Sequence, residues 1–261
     1  MRICAGKIGA VLGLFVALSG MSAMAAEQQV TWIGEGAEGG AMTQKEERIL
    51  AEQANHLGLL VEKLSAAKET EQIITVVGEG TDSSLVNVAY FKKNETGIWT
   101  EEFCVPGYCG YNGMSADKRE GDRRTPTGTY SFVTAFGIRK DPGSQIAYKQ
   151  LEEGDFWVDD SNSRYYNQMV NITETARDWD SAEELMRITP SYNYVLALDY
   201  NTTDRIPGKG SAIFLHGIHP EKTWTEGCIA IPEEQMKRLL QELKPDAKIV
   251  IMPSLPLAVT E

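Results

Sequence analysis

The stretch Ser211–Pro232, SAIFLHGIHPEKTWTEGCIAIP, decides the fold. Two apolar runs, Ser211–Leu215 and Ile229–Ile231, flank a single polar loop. Short apolar runs bounded by turn residues read as strands. His216 closes the first run and Cys228 opens the second. Neighbouring strands can set a side chain at the end of one beside a side chain at the start of the other. That arrangement gives an imidazole and a thiol a route to each other.

Working outward, the same pattern continues. Ile73–Val77, Leu85–Phe91, Ile98–Val105, Thr129–Phe136, Tyr194–Tyr200 and Lys248–Met252 read as further strands, with a hairpin turn over Lys92–Gly97. Pro232–Leu243 reads as a helix that starts with Pro and two Glu residues, as helix N-termini prefer. Many short strands between Gly/Pro turns, with few helices, predict a mainly β sandwich or barrel. Residues 139–191 are polar and aromatic-rich, too long for a simple connection. They are read as a substrate-facing cap or as a surface excursion with a minor core of its own.

The N-terminal part differs. Arg2 and Lys7 precede an apolar run, Ile8–Leu18, and Ala23 and Ala25 form a small-residue cleavage pattern. Residues 1–25 therefore read as a signal peptide, with an uncleaved anchor as the alternative. Residues 26–70 read as a leader and a helix from Thr43 to about Lys68, opened by the Thr43/Glu46 capping box. Residues 71–254 read as the main domain. The chain is expected to be exported to the periplasm or cell wall, with no integral membrane domain after cleavage. At 261 residues and 42% apolar composition it can build a core. A net charge of -12 gives no reason to bind nucleic acid.

The cysteines fit an oxidising compartment. Cys104 and Cys109 flank Val-Pro-Gly-Tyr and are a possible disulfide pair. Cys228 is then an odd thiol: a reactive group, an intermolecular partner or an inert buried residue. His216 turns the reading toward reactivity. A free thiol has a pKa of about 8.5, so it needs a base near neutrality. An imidazole can take its proton and return it to a leaving amine. Gly227 lets the chain bend, and the N–H groups of Gly227 and Cys228 are candidates for an oxyanion hole. The Gly217 carbonyl is a candidate to orient the ring of His216. His219 and Thr225 are possible substrate-rim residues. His216 and His219 also form H-x-x-H, which raises zinc with Cys228 as a third ligand. No second Cys or carboxylate motif accompanies them, and no metal is expected.

With these residues in place, the chain resembles the L,D-transpeptidase (YkuD-type) catalytic domain family. That family carries His-Gly at a strand end and Ser/Thr-x-Gly-Cys before an apolar run, here His216-Gly217 and Thr225-Glu226-Gly227-Cys228-Ile229. A second match is Thr125-Pro126-Thr127-Gly128-Thr129-Tyr130, which also suits a tight turn before a strand. The resemblance covers about residues 72–252. It implies the family's β-sandwich, no cofactor, and acyl transfer on peptidoglycan stem peptides. Cys228 would form a thioester that an amine resolves, with His216 as base. An exported Cys hydrolase (an L,D-carboxypeptidase or amidase) and a non-catalytic wall-binding module are the alternatives. Two positions depart from the family pattern. Glu226 stands where His is common, and a carboxylate there would raise the thiol pKa unless it faces solvent. Ala230 stands where Arg is frequent.

Overall fold

The apolar runs become the strands of one large sheet. The structure is a computed structural model and describes residues 58–255. Its strands are β1 (Gln72–Gly78), β2 (Leu85–Lys93), β3 (Trp99–Tyr108), β4 (Met114–Ser115), β5 (Thr125–Pro126), β6 (Gly128–Tyr130), β7 (Phe132–Gly137), β8 (Tyr148–Gln150), β9 (Asp155–Val158), β10 (Gln168–Asn171), β11 (Ala182–Glu184), β12 (Val195–Leu198), β13 (Phe214–Gly217), β14 (Ile229–Ile231) and β15 (Lys248–Met252). Helix α1 spans Glu233–Glu242. The signal segment, the leader and most of the expected N-terminal helix lie outside the described residues.

Ten strands form a curled mixed sheet in the order β6-β15-β1-β2-β3-β14-β13-β12-β7-β8. The expected hairpin is β2–β3, antiparallel from Leu85↔Tyr108 to Lys93↔Trp99. β1 is buried along its whole length, as a central strand with covered faces must be. The main core joins Ile74, Val76, Val88, Tyr90, Leu196, Leu215, Ile229 and Ile231 to Met236, Leu239 and Leu240 of α1. These three helix residues recur at helical spacing and turn one face inward. Gly107 lets β3 approach β14, because a Cβ there would sit 2.5 Å from the Ala230 carbonyl oxygen.

Residues 139–191 do form a structure of their own: a three-stranded sheet, β10-β9-β11. It is anchored to the large sheet by aromatic packing. Trp157 of β9 meets Phe214 of β13 edge-on at 4.8 Å and stacks on Phe136 of β7 at 6.1 Å. This second core includes Tyr192, Ala212 and Cys228. The excursion therefore packs directly behind the thiol.

Three local expectations are corrected. The first apolar run enters its strand late, at Phe214, because Ala212 takes a positive φ of 52°. The helical run expected to reach Lys68 breaks at Leu64, whose ψ of 140° is extended, and resumes as a 3-10 turn over Ser65–Lys68. There Val61, Ala66 and Ala67 pack on Ile73, Phe91 and Trp99. Finally, Cys104 and Cys109 do not bond to each other. Val105–Tyr108 continues strand β3 instead of turning, and Cys109 is a free, buried thiol. Five residues of strand separate the two by roughly 16 Å, far beyond disulfide reach.

Candidate active site

Parallel pairing of β13 with β14 brings the two decisive residues together. Leu215 pairs with Ile229 and His216 with Ala230. Side chains alternate along a strand, so Phe214, His216, Cys228 and Ala230 share one face. His216 and Cys228 are both buried, at 7% exposure each.

The His216 ring is held by its own strand end. Its Nδ1 lies 2.8 Å from the Gly217 carbonyl oxygen. A carbonyl only accepts, so Nδ1 carries the proton and Nε2 keeps the lone pair. Burial pushes the imidazole down to about 4, and the bond to Gly217 opposes this in part. Cys228 is pushed the other way. Burial raises its thiol above the ordinary value, and the charge of Glu183 adds to this. The backbone N–H of Phe214, Lys118 and the Tyr192 hydroxyl act in the opposite sense. The sulfur donates to the Ala212 carbonyl at 3.2 Å and accepts from the Phe214 N–H at 3.4 Å. Among the described residues no hydrogen bond joins Cys228 to His216. Both shifts favour the neutral thiol and the neutral imidazole over an ion pair.

Two threonines clamp the backbone around the thiol. Thr225 Oγ1 donates to the Cys228 carbonyl at 2.6 Å and accepts from the Gly227 N–H at 3.1 Å. Thr125 Oγ1 donates to the Gly227 carbonyl at 2.7 Å and accepts from the Gly110 N–H at 2.9 Å. Two expectations change as a result. Thr225 is buried and is not a rim residue. The Gly227 N–H is taken by a local hydroxyl turn and is not aimed at an oxyanion. Gly227 adopts φ of 147°, where its lack of a side chain is needed. The Thr125-Pro126 motif proves to be the second half of the clamp.

Glu226 faces solvent. Its carboxylate pairs with Arg123 at 2.7 and 3.1 Å, and the Arg123 guanidinium packs against the rings of Tyr111 and Trp224, at 4.4 and 4.5 Å. The adjacent carboxylate is thereby turned away from the thiol. His219 lies on the loop and accepts the Glu221 N–H through Nδ1 at 3.2 Å.

The carboxylate whose charge acts on the thiol is Glu183, on β11. Its Oε2 accepts the Tyr192 hydroxyl at 2.6 Å. Tyr192 also meets the His216 ring edge-on at 5.4 Å. No motif marks either residue in the sequence. The only pointer is the reading of residues 139–191 as a cap over the site. Lys118 completes the surroundings. Its buried Nζ binds Asp122 at 2.8 Å, and a Cβ on Gly227 would stand 3.4 Å from it.

With this geometry in hand, similarity to known proteins can be placed. Among solved structures, the helical cell shape determining protein Pgp2 from Campylobacter jejuni shares 18% identity, covering 70% of this chain and 49% of that one, with a TM-score of 0.38. The L,D-transpeptidase of Enterococcus faecium, solved as a cysteine-to-serine mutant, shares 12% identity over 70% of this chain and 50% of that one, with a TM-score of 0.33. The chain thus spans about half the length of the structures it matches. No match was found among curated proteins. The family model of the L,D-transpeptidase catalytic domain (YkuD) matches residues 81–251, which contain the paired strands, both threonines and the excursion. The chain belongs to the YkuD L,D-transpeptidase catalytic domain family.

Proposed function

We propose that this protein is an exported peptidoglycan L,D-transpeptidase in which Cys228 is the nucleophile and His216 the general base. The observation that carries the reading is the shared face of β13 and β14. It places a buried thiol and a buried imidazole, with its Nε2 lone pair free, on neighbouring strands. Family membership supplies the substrate class, because YkuD domains act on peptidoglycan.

Cys228 leaves the Ala212 carbonyl and gives its proton to His216 as sulfur attacks the carbonyl at the L-centre of diaminopimelate. Proton transfer accompanies attack, since burial favours the neutral form of both groups. The imidazolium then protonates the departing amine of the terminal D-residue, leaving a thioester. An amine of a neighbouring stem attacks the thioester and loses its proton to His216, and the thiol is restored. The Cys228 N–H and the nearby Lys118 ammonium stabilise the developing negative charge. His219 forms part of the rim where the stem peptide enters.

The test is to incubate the mature protein with a disaccharide-tetrapeptide and follow products by mass spectrometry. Loss of the terminal D-residue with cross-linked dimer, both absent in Cys228→Ala, is the expected outcome. Cleavage without dimer would replace transfer by hydrolysis. Neither product, while a known transpeptidase works in parallel, would sink the proposal.

A further inference from the structure

In the transfer chemistry above the thiol starts on the Ala212 carbonyl, and a chain of hydrogen bonds holds that carbonyl in place. Ala212 precedes β13 with φ of 52°, a left-handed conformation that L side chains rarely adopt. The chain is pinned on both sides of it. The Ala212 N–H donates to Asn167 Oδ1 at 3.1 Å, and the next carbonyl, that of Ile213, accepts the Leu198 N–H at 3.0 Å. The Ala212 carbonyl between them accepts the Cys228 thiol at 3.2 Å.

Asn167 stands just before β10, in the excursion, and is buried. Its amide is fully used. Oδ1 accepts the Trp157 indole N–H at 3.0 Å as well as the Ala212 N–H. Nδ2 donates to the carbonyls of Tyr200 and Asn201 at 3.1 and 2.8 Å. A flipped amide would set N–H against N–H and oxygen against carbonyl, so the partners allow one orientation. A single buried side chain thus grips both ends of the segment 200–212. Asn201 braces its middle: Oδ1 accepts the Ile206 N–H at 2.8 Å, and Nδ2 donates to the Gly210 carbonyl at 2.9 Å.

We propose that Asn167 is a positioning residue for the nucleophile: it fixes the Ala212 peptide so that the Ala212 carbonyl holds the Cys228 S–H until substrate arrives. The inference rests on the reading of Cys228 as the nucleophile. A thiol sulfur carries one proton and two lone pairs. Here the proton goes to Ala212, and one lone pair accepts the Phe214 N–H at 3.4 Å. The second lone pair is left for attack, and the two bonds set its direction. An S–H is a weak donor, so the bond orients the sulfur without trapping its proton. A misplacement of about 1 Å can cost roughly a hundredfold in rate, which gives the brace its value.

Infrared absorption of the S–H stretch reads this bond, because a hydrogen-bonded S–H absorbs at lower frequency than a free one. Subtracting the spectrum of Cys228→Ala isolates the Cys228 band. In the wild type it should lie below the band of an alkanethiol in hydrocarbon solvent. Asn167→Gly keeps the left-handed turn at this position, φ 55°, and removes only the amide. Its Cys228 band should shift to higher frequency and broaden. Asn167→Asp keeps an oxygen facing the Ala212 N–H and should stay nearer the wild-type band. In the transfer assay Asn167→Gly should lower kcat by roughly tenfold to a hundredfold at unchanged KM, since the buried amide aids the sulfur and not substrate binding.

A wild-type band at the free-thiol frequency overturns the proposal, as does an Ala212 amide that exchanges with deuterium at the rate of an unprotected one. Neither result needs a variant to fold. An unshifted band in Asn167→Gly, or a band in Asn167→Asp shifted as far as in Asn167→Gly, overturns the route through Oδ1. A shifted band with unchanged kcat overturns the positioning role. The band and the exchange rate use no stem peptide. A wild type that shows both as expected and fails the transfer assay would therefore refute the proposed function and leave the brace standing.

Discussion

Replacing Thr125 with Val keeps the shape of the side chain and removes its hydroxyl. Thr125 is fully buried. Two backbone groups lose their partner, the Gly227 carbonyl at 2.7 Å and the Gly110 N–H at 2.9 Å. Leaving a buried polar group unsatisfied costs about 1–3 kcal/mol. The pair therefore predicts a loss of about 2–6 kcal/mol, a large part of the about 5–15 kcal/mol that holds a typical domain together. Thr125→Ser retains both bonds and loses one buried methyl, for about 1 kcal/mol. Urea unfolding of the two variants beside wild type measures the difference. The midpoint should fall much further for Val than for Ser, at unchanged slope. Because the lost bond lies next to Cys228, the Val variant should also expose this thiol to iodoacetamide at urea concentrations where the Ser variant stays protected. Equal midpoints for Val and Ser would refute the clamp, since the hydroxyl would then carry no energy.

His216 makes stability depend on pH. Its folded value of about 4 lies below the ordinary 6.5, so between those values the unfolded chain binds more protons. Stability must rise with pH across this window, by about 3 kcal/mol in total. Glu183 works with opposite sign between 4.5 and about 7, because its folded form is the one that holds the extra proton. The difference between wild type and His216→Gln isolates the imidazole; urea midpoints that shift in parallel at pH 4.5 and pH 7 would contradict its burial as a neutral ring. Cys109, a free thiol that burial pushes up to about 11, should resist iodoacetamide in the native protein and react fully after denaturation. Peptide mapping without reductant reads this, and a Cys104–Cys109 bridged peptide would contradict the strand geometry.

The sequence was most readable where apolar runs and turns repeat. β14 and β15 match their expected residues, because Ile229–Ile231 and Lys248–Met252 are apolar or β-branched runs ended by Pro. It was least readable where backbone choices depend on distant partners. Val105–Tyr108 carries Pro and Gly and reads as a turn, yet pairing with β2 holds it extended. Pairing is a property of two segments, and local propensity describes one. The same limit applied at the site. Cys228 and His216 announce themselves through residue type and neighbouring glycines. Thr225 looked like a rim residue because nothing local shows that its hydroxyl folds back on Gly227. Glu183 could not be found from spacing at all, since its partner Tyr192 reaches it through tertiary packing. Glu226, prominent beside Cys228 in sequence, is carried outward by Arg123 and its two aromatic neighbours.

The three-stranded sheet of residues 139–191 has a consequence for how such a protein can diversify. The strands that hold the thiol and the imidazole belong to the large sheet, while Glu183 arrives on β11, outside that ladder. The scaffold and the charge that acts on the thiol are thus separable. Glu183 can be replaced without removing a single bond of the β13–β14 pair. The excursion is tied to the large sheet by Trp157 on Phe136 and Phe214 and by β8, which pairs with β7. In such an architecture one piece of chain fixes the thiol and the imidazole, and another sets the charge behind them.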